Sequence, residues 1–186
     1  MVKSMKKILA GLMAAAIAFT AVPVAAATSP STSTTPVVAE DVKAEAVKGI
    51  TATVDTAKDG TATVSKIAAT SKKTVEIPPR VTVDGVSYKV TKLDSNALSG
   101  CKKATTVRVP AAIDTISKNA FKGCTSVKTI KMITRDGVKI EKGAFSGLDT
   151  TKITIVVNKK MKASEFKKLK AALKKAGFKG TVKKAA

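Results

Sequence analysis

Ile116-Ser-Lys-Asn-Ala-Phe-Lys-Gly-Cys124 decides how this chain is read, because it is written twice more with small changes. Leu93-Asp-Ser-Asn-Ala-Leu-Ser-Gly-Cys101 stands before it and Ile140-Glu-Lys-Gly-Ala-Phe-Ser-Gly-Leu148 after it, at offsets of 116 − 93 = 23 and 140 − 116 = 24 residues. A period in the twenties with apolar residues at fixed slots marks stacked units, since one such unit cannot bury its apolar side alone.

Each slot implies a local structure. Asn96, Asn119 and Gly143 share one position, and Asn and Gly tolerate positive φ, so a left-handed turn is predicted there. Leu98, Phe121 and Phe145 are predicted to point inward from a short helical turn, and Gly100, Gly123 and Gly147 to bend the chain toward a strand. In Val107-Arg-Val109 and Ile130-Lys-Met132 apolar and polar residues alternate, so one side packs and the other meets solvent. Ile153 and Ile155 arrive one residue early in the third copy, which predicts a distorted last rung. Thr74-Val-Glu-Ile-Pro78 matches Thr106-Val-Arg-Val-Pro110 place by place, so a degenerate first rung is expected near Val75.

Toward the amino terminus, residues 49–92 read as a β-hairpin region that ends in that degenerate rung. Thr51-Ala-Thr-Val54 and Thr61-Ala-Thr-Val64 flank Asp59-Gly60, and Val81-Thr-Val83 and Val86-Ser-Tyr-Lys-Val90 flank Asp84-Gly85, a dipeptide suited to tight turns. Residues 28–48 are Ser, Thr, Pro, Ala and scattered charge without a period, and read as a disordered linker. Residues 1–27 read as a cleaved signal peptide, with Lys3, Lys6 and Lys7 before an apolar run from Ile8 to Val22 and small residues ending at Ala27. That run falls short of the roughly 20 residues a spanning helix needs.

Beyond the repeats at 93–157, residues 158–186 read as a lysine-rich capping helix and terminal strand. Ser164 is the expected N-cap, Glu165 suits the first turn, and Gly177 is the expected stop. At about 100° per residue, Phe166, Leu169, Ala172, Leu173 and Ala176 gather on one side, opposite Lys167, Lys168, Lys170, Lys174 and Lys175. A last strand within Phe178-Lys-Gly-Thr-Val182 follows, and such a unit would hide the final rung.

Composition narrows the function classes. The 186 residues carry 34 Lys and Arg against 13 Asp and Glu, a net charge of +21, so an acidic surface or polymer is a natural neighbour. There is no His, which removes the commonest general base and metal ligand. No Cys-His cluster, phosphate-cradling Gly-rich loop or close carboxylate pair stands out, so neither enzymatic activity nor a cofactor or metal is expected. Asp94, Asp114 and Glu141 sit near repeat corners, where turn roles suffice. Cys101 and Cys124 share a slot that Leu148 fills in the third copy. That favours small buried hydrophobes, while a rung spacing of about 4.8 Å also permits a bridge.

The pattern of Ile116, Ala120-Phe121, Gly123-Cys124, Val127, Ile130 and Met132, with Pro110 closing the preceding strand, resembles the BspA-like leucine-rich repeat of secreted and surface proteins of bacteria and some protozoa. It extends over residues 75–157 as two good copies, one slipped copy and a partial one; Leu98 stands where Phe is usual and Ala104 where a larger apolar residue is usual. The resemblance implies an α/β fold, a short strand-dominated leucine-rich-repeat solenoid with amino-terminal β-hairpins and a carboxy-terminal capping helix. It also implies export and a non-catalytic role in adhesion or binding to a host or bacterial surface protein or glycan, at the cell surface, in the wall or outside the cell.

Two surfaces are candidates. The outward side of the strands should show Thr74, Glu76, Thr106, Arg108, Thr129, Lys131, Lys152 and Thr154 as a ladder, with Arg108, Lys131 and Lys152 as its cationic contacts. The second is the lysine side of the carboxy-terminal helix, Lys167, Lys168, Lys170, Lys174 and Lys175, in a segment with eleven Lys and one Glu from residue 158 onward. It supports the alternative of a basic protein that holds an acidic wall polymer or glycan through counterion release. Nucleic acid is disfavoured, because Arg is scarce and aromatic stacking residues are few.

Overall fold

The repeat period places strand beside strand in parallel register. The computed structural model describes residues 38–46, 50–134 and 136–186. In chain order its strands are β1 (Ala39–Ala46), β2 (Ile50–Thr56), β3 (Thr61–Ile67), β4 (Thr74–Glu76), β5 (Arg80–Val83) and β6 (Val86–Leu93). They continue as β7 (Thr106–Val109), β8 (Thr115–Ile116), β9 (Thr129–Met132), β10 (Lys139–Ile140), β11 (Thr154–Val157) and β12 (Thr181–Lys184), with helix α1 (Ala163–Lys175) between the last two. A five-stranded sheet runs β12-β11-β9-β7-β4, and a seven-stranded one runs β1-β2-β3-β6-β8-β10 with β5 also paired to β6. Every pair within the five-stranded sheet is parallel. In the larger sheet β6, β8 and β10 are parallel, whereas β1–β2, β2–β3 and β5–β6 are antiparallel.

The turn between the two strands of each repeat holds the stack together. Asn96 and Asn119 both have φ of 61° and Gly143 has φ of 80°, the left-handed conformation expected of that slot. This conformation lets amides on one turn reach carbonyls on the next. Asn96 donates to Asn119 O at 3.2 Å and Leu98 to Ala120 O at 3.1 Å, and one repeat further Asn119 donates to Gly143 O at 2.9 Å and Phe121 to Ala144 O at 3.1 Å. Leu98, Phe121 and Phe145 are buried below these turns. The rings of Phe121 and Phe145 stack with centroids 5.0 Å apart.

The carboxy-terminal unit continues part of this geometry with a different sequence. Gly143 donates to Ala176 O at the end of α1, and Phe178 sets its ring 5.3 Å from that of Phe145. Gly177, at φ 91°, ends the helix. Phe178 N bonds Leu173 O at 2.9 Å and Gly177 N bonds Lys174 O at 3.1 Å, while Phe178 and Leu173 are both buried. This is a Schellman closure with its hydrophobic contact. β12 then pairs with β11, Thr181 against Thr154. Buried Leu169, Leu173 and Ala176 turn α1 inward, while all five lysines of its opposite side are exposed.

Four expectations meet a different outcome or fall outside the described residues. The signal segment 1–27 and residues 28–37 lie outside them. Residues 39–46, read as linker, form β1 on β2; the register shift between Ala39 and Val42, with Asp41 at φ 54°, interrupts the alternation by which a strand is recognised. Ser164 is not the N-cap, because Phe166 N already bonds Lys162 O at 3.0 Å and Lys162 enters α1 without a side-chain cap. The last rung is not distorted in its strand, since Ile155 pairs with Ile130 and Val157 with Met132. The 3-10 turn at Thr150–Lys152 takes up the change in spacing. The degenerate rung does form, with Thr74, Val75 and Glu76 beside Thr106, Val107 and Arg108.

Two outcomes follow for urea unfolding. Asn119→Gly should leave stability nearly unchanged, whereas Asn119→Val should lose about 1–2 kcal/mol, because a β-branched residue is disfavoured at positive φ. Gly123→Ala should cost more than Gly177→Ala, since a Cβ at Gly123 comes within 2.7 Å of Ser99 O while one at Gly177 meets open space.

Candidate interaction surface

Two rows of side chains cross the outward side of the five-stranded sheet. The first is Thr74, Thr106, Thr129, Thr154 and Thr181; the second is Glu76, Arg108, Lys131, Val156 and Lys183. Their neighbours Val75, Val107, Ile130 and Ile155 are buried on the other side. Strands about 4.8 Å apart thus present one hydroxyl and one mostly charged side chain per rung. Thr74, Lys131, Thr181 and Lys183 are exposed, and the rest of the two rows is half-buried.

Arg108 lies beside a carboxylate of the same row. Its Nε lies 3.7 Å from Glu76 Oε1 on the preceding strand. That nitrogen is screened from solvent and makes no hydrogen bond among the described residues, while the side chain as a whole is 40% exposed. The guanidinium thus lies beside a carboxylate without a hydrogen bond from Nε, and part of the side chain meets solvent. Lys131 stands beside it on β9. The expected ladder brings these two together as read, but it misplaces Lys152. That residue lies in the 3-10 turn and pairs with Asp149 Oδ2 at 3.0 Å. Thr154 takes its place beside Thr129 and Val156 follows beside Lys131, because the turns are offset by 140 − 116 = 24 residues and the strands by 154 − 129 = 25.

Thr181 and Lys183 extend both rows and were not read from the sequence. The signal was present in Thr181-Val182, which repeats Thr74-Val75 and Thr106-Val107. On α1, Lys168 Nζ bonds Glu165 Oε1 at 2.8 Å, which raises the lysine above its ordinary pKa of 10.5. Lys170 Nζ sits 5.6 Å from the centre of the Phe166 ring. Lys167, Lys174 and Lys175 project from the same exposed side. Lys170 and Lys174 also line a groove with Val182 of β12.

The titratable groups explain turn geometry and packing rather than chemistry. Hydrogen bonds from Thr151, and then Lys152, hold the Asp149 carboxyl below its ordinary pKa of 3.8. Cys101 and Cys124 are free thiols, both buried. The hydrogen bond with Cys101, and then burial, push the Cys124 thiol far above the usual range. Among the described residues no group of His, Cys, Asp and Glu could hold a metal ion, and no helix is long and apolar enough to cross a membrane.

A scan against protein-family models matches residues 72–174 to the BspA type leucine rich repeat region, in 6 copies. The chain belongs to the BspA-type leucine-rich repeat family. The match reaches beyond the four copies read at 75–157 and includes nearly all of α1. Leucine-rich repeats are protein-interaction modules and generally non-catalytic, and proteins of the BspA type are typically surface or secreted bacterial proteins. No curated protein and no solved structure matched the chain.

The burial of this leucine-rich repeat chain's two thiols is measurable. In the native state at pH 8 both should react with a disulfide reagent far more slowly than in denaturant, where two thiols per chain should be titrated without added reductant.

Proposed function

We propose that this protein is an exported, non-catalytic interaction module that binds a surface protein or glycan through the outward side of its five-stranded sheet. The repeats act as a short solenoid, with the antiparallel pairs β2–β3 and β5–β6 as hairpins at its amino-terminal end and α1 with β12 as its cap. Among the domains, 1–27 acts as the export signal and 28–37 as the remaining tether.

The observation that carries this reading is the register of the two rows. Five strands align one threonine each, and three of the five neighbouring side chains are cations, Arg108, Lys131 and Lys183. Threonine suits a strand on its own account. A guanidinium beside Glu76 does not follow from strand propensity, and its part-exposed side chain supplies donors for a carboxylate or hydroxyl of the partner. The family match supports a protein-interaction role; it gives no support to a polyanion-binding role for α1.

The test is binding of the full chain to immobilised mucin and matrix glycoproteins across a salt series. Arg108→Glu/Lys131→Glu should weaken binding about tenfold or more, as loss of central contacts does. Lys167→Glu/Lys174→Glu on α1 should leave it within about twofold, as peripheral charges do. The reverse pattern, with a steep salt slope, would move the function to α1 and make the repeats a scaffold.

A further inference from the structure

The five-stranded sheet stops at β12, whose strand partner is β11. Thr181 and Ala185 donate their amides toward that partner, to Ile153 and Val157. Alternation along a parallel ladder then turns the backbone groups of Val182 and Lys184 to the opposite side, where the sheet has no further strand among the described residues. Next to this edge lies a groove of about 600 Å3 with Leu173, Phe178 and Val182 on its floor and Lys170, Lys174 and Lys179 around it. Phe178 ends the column begun by Phe121 and Phe145. The groove therefore sits where the apolar side chains of another strand-bearing unit would pack.

We propose that edge and groove together take up an extended acidic peptide segment of a partner protein. The segment adds to β12 as a strand, its apolar side chains over Phe178 and Val182, its alternate carboxylates on the side of Lys183, and the carboxylates at its ends toward Lys170, Lys174 and Lys179. Strand addition supplies main-chain hydrogen bonds, and pockets for alternate side chains supply selectivity. Charge decides the occupant. No carboxylate lines the groove, and a second copy of this chain would bring a net charge of +21 against those lysines. Lysines on an edge also block its pairing with a like-charged edge, as natural sheets commonly do. Nucleic acid would meet aliphatic floor residues and a single ring instead of stacking platforms. This site shares Lys183 with the cation row of the proposed function, while Lys170, Lys174 and Lys179 of the groove belong to neither row.

The probe is a fluorescent octapeptide of alternating Glu and Val, titrated against the full chain at physiological ionic strength and followed by anisotropy. Three comparisons are made: an alternating Glu and Ser peptide of equal charge, the Glu and Val peptide N-methylated at every second amide in either of the two registers, and a Lys174→Glu/Lys179→Glu chain. The proposal expects each to weaken binding about tenfold or more, from loss of the apolar contact, the strand hydrogen bonds and the charge respectively, with at least one N-methyl register affected. A Lys43→Glu/Lys66→Glu chain, altered on β1 and β3, should bind as the unchanged chain does. Equal binding of the Glu and Ser peptide or of both N-methylated peptides would overturn the proposal in favour of a plain polyanion contact. Absence of binding, indifference to the Lys174 and Lys179 change, or self-association of the chain through β12 would also overturn it. The strand rows could keep their role under any of these results.

Discussion

The constraint on which this structure depends is that buried backbone amides need acceptors. A parallel strand satisfies its neighbours, but each turn of a repeat would leave amides stranded beneath the surface. Positive φ at Asn96, Asn119 and Gly143 solves this by directing the turn amides to the next turn's carbonyls. Once that direction is set, Leu98, Phe121, Phe145 and Phe178 fall into one column, and the inward strand residues Val75, Val107, Ile130 and Ile155 fall into register. The outward rows are a by-product of the same register. The outward face thus takes a spacing that the interior dictates.

How much of this was legible depends on whether a residue's role was local. The left-handed slot is a property of one residue's backbone, so Asn96, Asn119 and Gly143 announced it. The pairing of β4 with β7 was legible because Thr74-Val-Glu and Thr106-Val-Arg place the same side chains on the same faces. Lys152 was misread because its position depends on how a spacing change is shared between turn and strand. The 3-10 turn took all of it, stabilised by Asp149, which accepts from the Thr151 amide and pairs with Lys152. β1 was hidden by its bulge, and Ser164 by a helix that begins two residues earlier without a side-chain cap.

Electrostatics divides the molecule unevenly. The net charge is +21, and among the described residues several cations have a near partner. Arg108 beside Glu76 and Lys168 beside Glu165 are such cases, and Lys184 reaches Met161 O at 2.7 Å. Exposed lysines with no anchor keep their side-chain freedom and contribute little to stability. Their effect is instead on encounter, since a field of one sign draws acidic partners and keeps copies of the chain apart.

The closure of the last turn by Ala176 and Phe178 has a consequence for how such chains change length. α1 and β12 meet Gly143, Phe145 and β11 through one turn bond, a ring contact and a parallel strand pairing of the kinds that join one repeat to the next. The end unit does not need to know how many rungs precede it. Duplication or loss of a block of 23 or 24 residues would shorten or lengthen the exposed rows while leaving both ends intact. A lineage built this way can vary the reach of its surface by gene-level copying, without redesigning any interior contact.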